Sequence, residues 1–167
     1  IASRFIFLNR TGFNGLYRVN KSGQFNVPFG RYSNPVICDE DNLRRVSDVL
    51  QDVVITYQDY KNVLETAKSG DFIYFDPPYY PTSTTSSFTS YTAEEFLEKE
   101  QTELRDTFVE LHKRGCFVML SNSDTPFINE LYSGINGVTI NKITAGRAIN
   151  SKGTGRGKIT EVLVTNY

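Results

Sequence analysis

Asp71-Phe72-Ile73-Tyr74-Phe75-Asp76-Pro77-Pro78-Tyr79 is a short apolar run that ends on a carboxylate, two prolines and an aromatic ring. The run reads as a buried strand leading straight into Asp76. Two consecutive prolines fix the exit and remove two N–H donors, so the backbone there offers carbonyls only. With the Asp76 carboxylate added, the strand end becomes a rigid cluster of hydrogen-bond acceptors beside an aromatic face. Such a cluster suits an –NH2 group on a flat ring. The lone pair of an aromatic amine is delocalised into its ring. Two acceptors, Asp76 and the carbonyl of Pro77, would bond both amine hydrogens and localise that pair for attack. Positioning and electrostatic complementarity would then carry the reaction. The competing reading is a proline-terminated strand with an incidental Asp.

Outward from this stretch the chain alternates. Val53-Val54-Ile55-Thr56-Tyr57 reads as a strand upstream, and 60–67 as a short helix between the two. Downstream, Thr92 and Glu95 have capping-box spacing, and Leu97, Leu104, Phe108 and Leu111 form the stripe of a long helix that Gly115 stops. Cys116-Phe117-Val118-Met119-Leu120 reads as a fully buried strand, 125–132 as a short helix, and 138–143 and 159–166 as two more strands. Strand–helix alternation predicts an α/β fold with a mainly parallel sheet. Ligands of such sheets bind beyond the strands' carboxyl ends. Asp59 with Tyr60, 76–79, and 121–124 are expected along one such edge. Nearer the start, 17–19 and 24–27 flank Lys21-Ser22-Gly23 as a hairpin, and Asp39-Glu40-Asp41 opens a helix carrying Leu43, Val46, Val49 and Leu50. The Ser/Thr-rich 81–90 stretch reads as a loop.

The 167 residues suffice for one ordinary domain with a core. No apolar run approaches the roughly 18 residues of a membrane span, and no secretory signal is visible. Cys38 and Cys116 suggest neither a disulfide framework nor a metal site; Cys116 is expected to pack as a small hydrophobe. A cytoplasmic setting is the expectation. The net charge of −1 is unevenly spread. Residues 1–32 carry five bases and no acid, residues 142–158 likewise, and the body between them is strongly acidic. Two basic segments around an acidic body read either as one face for a polyanion or as two solvated loops. His112 reads as a surface residue, and the 153–157 Gly-rich segment as a flexible basic loop rather than a phosphate cradle, since it lacks the full nucleotide-binding pattern and precedes a strand.

The flanks of the tetrapeptide carry a family resemblance. Leu8-Asn9-Arg10-Thr11-Gly12-Phe13-Asn14-Gly15-Leu16-Tyr17-Arg18-Val19-Asn20, then Gly23-Gln24-Phe25-Asn26-Val27-Pro28-Phe29-Gly30-Arg31-Tyr32, resembles the target-recognition region of the Dam family. Ser121-Asn122-Ser123-Asp124-Thr125 resembles the loop after that family's next strand, and Arg147-Ala148-Ile149-Asn150-Ser151 through Glu161-Val162-Leu163 its C-terminal loop and strand. The matches follow the family's order over nearly the whole chain. The resemblance implies a Rossmann-like methyltransferase fold using S-adenosylmethionine and no metal. It also implies methylation of a flipped adenine in GATC duplex DNA, in a restriction-modification, phage or epigenetic setting of bacterial or phage type.

By position, the resemblance implies that Asp76, Pro77, Pro78 and Tyr79 are catalytic, with Tyr79 stacking on the flipped base. Asp59 and Tyr60, together with Asp76, would bind the cofactor; the alternative for Asp59 is helix capping. Arg18 matches the guanine reader and Pro28 a residue packed on the same base pair. Phe13 and Asn14 match a wedge near the flipped adenine, and Leu16 and Tyr32 further base-proximal positions. Asn20, Asn26 and Arg31 match phosphate contacts. Hairpin packing is the alternative for Phe13 and Leu16, and turn formation for the asparagines.

The resemblance also implies an upstream Gly-rich cofactor loop and a ribose-binding carboxylate, neither identifiable here. The chain is therefore expected to be a C-terminal part, with a fold that a missing N-terminal segment or a complementing chain completes. It would carry the C-terminal part of the recognition subdomain in residues 1–37 and that of the catalytic domain in residues 38–167. Alone it would be inactive. Two rivals stand beside this reading. One is a catalytically inactive DNA-binding fragment. The other is a methyltransferase acting on RNA or protein amides, against which Asp76 and the Arg18 hairpin argue.

Overall fold

The apolar run before Asp76 forms strand β1 (Phe72–Phe75), which lies parallel to β2 (Phe117–Ser123) with Phe75 opposite Leu120. The computed structural model describes residues 1–20, 22–82, 96–146 and 158–167. Outside the described residues lie the expected capping box at Thr92 and Glu95, positions 83–90 of the Ser/Thr-rich stretch, the basic loop 147–157, and Lys21 of the hairpin turn. The chain divides into two compact units, Ile1–Tyr57 and Gln58–Tyr167.

In the second unit, β2 pairs antiparallel with β4 (Lys158–Thr165), which pairs antiparallel with β3 (Thr139–Gly146). The strand order is β1-β2-β4-β3. The fold is α/β as expected, but the sheet is mixed rather than mainly parallel. The physical reason is that β3 and β4 follow one another without an intervening helical pattern, and an antiparallel return needs no crossover helix. The short helix α3 (Val63–Thr66) precedes β1, and helix α4 (Glu98–Lys113) supplies the crossover between the parallel strands β1 and β2.

Alternation sorts the sheet's faces. Phe75, Val118, Leu120, Val162 and Val164 are buried together with Leu104, Phe108 and Leu111 of α4 and Ile128 and Tyr132 of α5 (Pro126–Tyr132). Each such side chain contributes about 1.5–3 kcal/mol by leaving water. Phe72, Tyr74 and Phe117 point the other way and are about half exposed. The strand expected to be fully buried is therefore buried on one face only. Cys116 is buried, as a small hydrophobe should be.

The helix ends follow local chemistry. The Leu97 N–H donates to Glu100 at 3.0 Å, and the Thr125 hydroxyl accepts the Ile128 N–H at 3.3 Å. Gly115, at φ 79°, ends the α4 turn in a conformation that a side chain would strain. His112 is not a simple surface residue. The Asn166 amide donates to its Nδ1 at 2.9 Å while Nε2 meets the Asn136 carbonyl at 3.1 Å. Asn166 Oδ1 already accepts the Val118 N–H, so the amide can present only its nitrogen to His112. That fixes the ring with its proton on Nε2, tying α4 to the end of β4.

In the first unit, α1 (Ala2–Thr11) was not foreseen, and α2 (Glu40–Val49) was. The Asp39 carboxylate caps α2 by accepting the Asn42 N–H at 3.2 Å. The hairpin forms around a single Val19–Phe25 bridge. The expected strand at 53–57 does not form: Val54 is 87% exposed and Tyr57 fully so. β-branched propensity makes a strand only where a neighbour takes its hydrogen bonds, and no described strand pairs with this segment. No described helix is long and apolar enough to cross a membrane.

Tyr132 is buried, packs edge-on against Phe108 at 5.5 Å, and its hydroxyl has no partner among the described residues. Burial pushes that phenol's pKa far up, so the group stays neutral. Tyr132→Phe removes the unsatisfied hydroxyl. It should raise unfolding stability by about 1 kcal/mol in equilibrium urea denaturation.

Candidate functional site

Pro77 and Pro78 follow β1 at the edge of the sheet, where no ladder N–H is required of them. Asp76 is exposed at the strand end. Its Oδ1 accepts from the Ser121 hydroxyl at 2.9 Å, and Ser121 in turn accepts from the Tyr74 hydroxyl at 2.9 Å. Tyr79 reaches β4, its hydroxyl 3.5 Å from Glu161 Oε2. Burial, with added repulsion from Glu161 and Asp76, pushes the Tyr79 phenol's pKa up against a smaller opposing effect of Ser121, so it stays protonated.

A buried amide pair holds the loop after Asp76. Gln101 Nε2 donates to the Pro78 carbonyl at 2.9 Å, and its Oε1 accepts from Asn122 Nδ2 at 3.0 Å. Asn122 Oδ1 accepts the N–H of Tyr80 at 3.0 Å and of Ser123 at 2.9 Å. The Ser123 hydroxyl donates to the Tyr80 carbonyl at 2.6 Å. Gln101 and Asn122 are wholly buried. The carbonyl of Pro77 accepts from no described residue. Residues 121–123 were expected in a loop, but they belong to β2, because β4 pairs with them as far as Ser123–Glu161.

Beside the strand end lies a cavity of about 360 Å³, lined in part by Asp59, Tyr60, Phe75, Asp76, Pro77 and Phe96. That volume is within the range of small-molecule sites. Asp59 follows no strand. It caps the turn at Tyr60–Asn62, Oδ1 accepting the Lys61 N–H at 2.8 Å, and it also lines the cavity. The Tyr60 ring packs edge-on against Phe75 at 6.5 Å and Phe96 at 6.0 Å. Its hydroxyl is buried without a partner among the described residues, and burial raises its pKa despite the nearby Lys61 charge. Aromatic walls, a carboxylate acceptor and an unpartnered phenol fit a polar, ring-bearing group. Among the described residues no cluster of three or more His, Cys, Asp or Glu could hold a metal ion.

The first unit gathers the remaining candidates. Arg18 is clamped to Asn26, its Nε donating to Oδ1 at 2.8 Å and Nη2 to the carbonyl at 3.0 Å. Asn20 forms the turn, its Oδ1 accepting the N–H of Ser22 and of Gln24. The Phe13 N–H donates to the Pro28 carbonyl at 2.8 Å, so these two lie side by side. Asn14 sits at φ 55°, and Leu16, half-buried, follows. Asn14, Arg31 and Tyr32 line an open cavity of about 570 Å³ with Asn9 and Arg10, which the sequence reading did not single out. A Cβ on Gly30 would collide with the Tyr32 ring, so glycine is what lets that ring lie there. Of the second basic segment, Lys142 is described and paired with Asp124 at 2.9 Å.

A family model for D12 class N6 adenine-specific DNA methyltransferases matches residues 2–149. The chain is 49% identical over 168 residues to the type II methyltransferase M1.LlaDCHI of Lactococcus lactis subsp. cremoris, covering 99% of this chain and 58% of that protein. It is 50% identical over 167 residues to the type II methyltransferase M.MjaIII of Methanocaldococcus jannaschii, covering 99% and 57%. It is 41% identical over 160 residues to a DNA adenine methylase of Vibrio cholerae, covering 95% and 56%. The chain thus spans somewhat more than half the length of these relatives.

Two outcomes test the site's framework. Gln101→Leu strands the Pro78 carbonyl and one Asn122 donor, and should cost about 1–3 kcal/mol for each stranded group in urea unfolding. The Asp124 carboxyl is held below its usual pKa by hydrogen bonds from Lys142 and then Asn129. A depressed carboxyl stabilises above its unfolded pKa of about 4 and loses that contribution as pH falls through the folded value. Asp124→Asn should therefore destabilise at pH 7, and the deficit should shrink as unfolding is measured at progressively lower pH.

Proposed function

This chain belongs to the D12 class N6 adenine-specific DNA methyltransferase family, and on that premise we propose that its protein methylates the exocyclic amine of adenine in duplex DNA, at GATC. The observation that carries this reading is the pair of acceptors at the exit of β1. The Asp76 carboxylate, bonded by the Ser121 hydroxyl, and the Pro77 carbonyl, which accepts from no described residue, lie beside a cavity at the start of a loop that a buried amide pair holds. Both hydrogens of an adenine amine can be accepted there, which leaves its lone pair localised and directed. Tyr79, kept neutral, offers an aromatic face for the extruded base. Pro78 fixes the backbone and lends its carbonyl to Gln101 rather than to substrate.

S-adenosylmethionine, when bound, supplies a sulfonium methyl that needs no further activation. Asp59, Tyr60 and Asp76 are the residues proposed to hold it. Asp59 would accept from an amine, and the buried Tyr60 hydroxyl would gain a partner. The network residues keep the acceptor geometry preformed, so little reorganisation is left for the reaction itself.

Residues 1–37 are proposed to recognise the DNA and residues 38–167 to belong to the catalytic domain. Asn26 occupies one edge of the Arg18 guanidinium, which leaves the other edge for guanine. Pro28, Leu16 and Tyr32 would pack near the bases, with Phe13 and Asn14 as a wedge. Asn20, Asn26 and Arg31 would meet phosphates. A DNA-modifying protein of this kind would act in the cytoplasm of a bacterial or phage-infected cell.

The test uses the protein expressed from its complete reading frame, labelled S-adenosylmethionine and duplexes with or without GATC. Label should appear on adenine; label confined to RNA or protein would overturn the reading. Asp76→Ala should abolish transfer. Arg18→Ala should cut discrimination at the guanine by about 1–3 kcal/mol.

A further inference from the structure

We propose that Tyr74 and Ser121 are positioning residues, forming a hydroxyl relay that locks the Asp76 carboxylate and reserves its second oxygen for the substrate amine. The inference rests on the reading of Asp76 as the amine acceptor. The sheet itself assembles the three groups. Tyr74 and Asp76 are two residues apart along the β1 line, so the pleat sets both on one face. Tyr74 lies opposite Met119, and Ser121 is two residues further along β2 on that same face. Ser121 Oγ sits 2.9 Å from the Tyr74 hydroxyl and 2.9 Å from Asp76 Oδ1.

Donor count fixes the direction of the relay. A carboxylate can only accept, so the single Ser121 proton goes to Asp76. Ser121 must then accept from Tyr74, whose hydroxyl proton is used in turn. Oδ1 is thereby occupied. Asp76 Oδ2 accepts from none of the described residues, and it is the oxygen left for an incoming N–H.

The relay answers a physical problem. Asp76 is exposed, and an exposed Asp ordinarily samples several rotamers. A hydrogen bond to a charged acceptor is among the stronger ones, and Ser121 is only 3% exposed, so its donor is sheltered from competing water. Tyr74 polarises that donor further, because chained hydrogen bonds reinforce each other. Neither hydroxyl needs to touch the substrate for this to work.

The test compares Tyr74→Phe, Ser121→Ala, Ser121→Thr and the Tyr74→Phe/Ser121→Ala double variant, in the protein from its complete reading frame. Two readouts are taken: the single-turnover methylation rate, and the binding preference for a duplex with adenine at the target over one with purine, which lacks the amine. Tyr74→Phe and Ser121→Ala should each slow transfer about 10- to 100-fold. Each should also weaken the adenine-over-purine preference. Ser121→Thr keeps the hydroxyl and should retain most of the rate. In the Ser121→Ala background, Tyr74→Phe should add almost nothing, because it acts through Ser121. The proposal is overturned if the two single variants keep the wild-type rate, if their effects multiply, or if Ser121→Thr fails as fully as Ser121→Ala. Asp76→Ala separates the two levels. If it stays active, the reading of Asp76 fails; if it is dead while Tyr74→Phe and Ser121→Ala are fully active, only the relay fails.

Discussion

The buried pair Gln101–Asn122 is the interaction on which the site depends. Two amides in a hydrophobic core are costly unless every polar atom is answered. Here the backbone answers them. The N–H groups of Tyr80 and Ser123 can only donate, so Asn122 must turn its oxygen to them. The Pro78 carbonyl can only accept, so Gln101 must turn its nitrogen to it. The remaining halves then face each other as donor and acceptor at 3.0 Å. The orientation of both amides is dictated by main-chain groups of the very loop they hold.

This arrangement joins the core to the chemistry. Gln101 lies on α4 among the residues that fill the core, and Asn122 lies on β2 beyond the buried Val118 and Leu120. Packing of α4 on the sheet therefore sets where Pro78 and Tyr80 sit. The prolines contribute in a complementary way. They remove N–H groups that would compete for the Asp76 and Pro77 oxygens, and they narrow the backbone freedom that the amide pair must restrain. Acceptor geometry at the strand end is thus fixed from inside the core, while the acceptors themselves stay accessible.

Much of this was legible from side-chain period. The stripe of Leu104, Phe108 and Leu111, the run before Asp76, and the Asp39 and Thr125 helix starts all describe local physics, and all formed. What failed needed knowledge of neighbours. The 53–57 run has strand propensity but no described partner, and the β3–β4 pairing direction depends on connection rather than composition. Helix α1 lacks acids in its first turn and has no side-chain cap, so its start carried no signal. The amide pair did leave a trace. Gln101 stands four residues after Leu97 and three before Leu104, on the core stripe. Asn122 continues the alternation of Val118 and Leu120. A polar residue at a core position is itself the sign of a buried network.

The same logic operates in the first unit at lower cost. Arg18 is exposed, and a free arginine would lose up to about 2 kcal/mol of rotamer freedom on ordering. The two bonds to Asn26 order it in advance. The hairpin fixes the spacing of the pair, since the Asn26 N–H donates back to the Arg18 carbonyl at 3.1 Å. An asparagine assigned by resemblance to phosphate contact thus has a second physical use, which is to aim its neighbour. Both units solve one problem in this way. A group meant to meet a partner is oriented beforehand by a bond that consumes only part of its capacity, and the unused edge is what remains to be read.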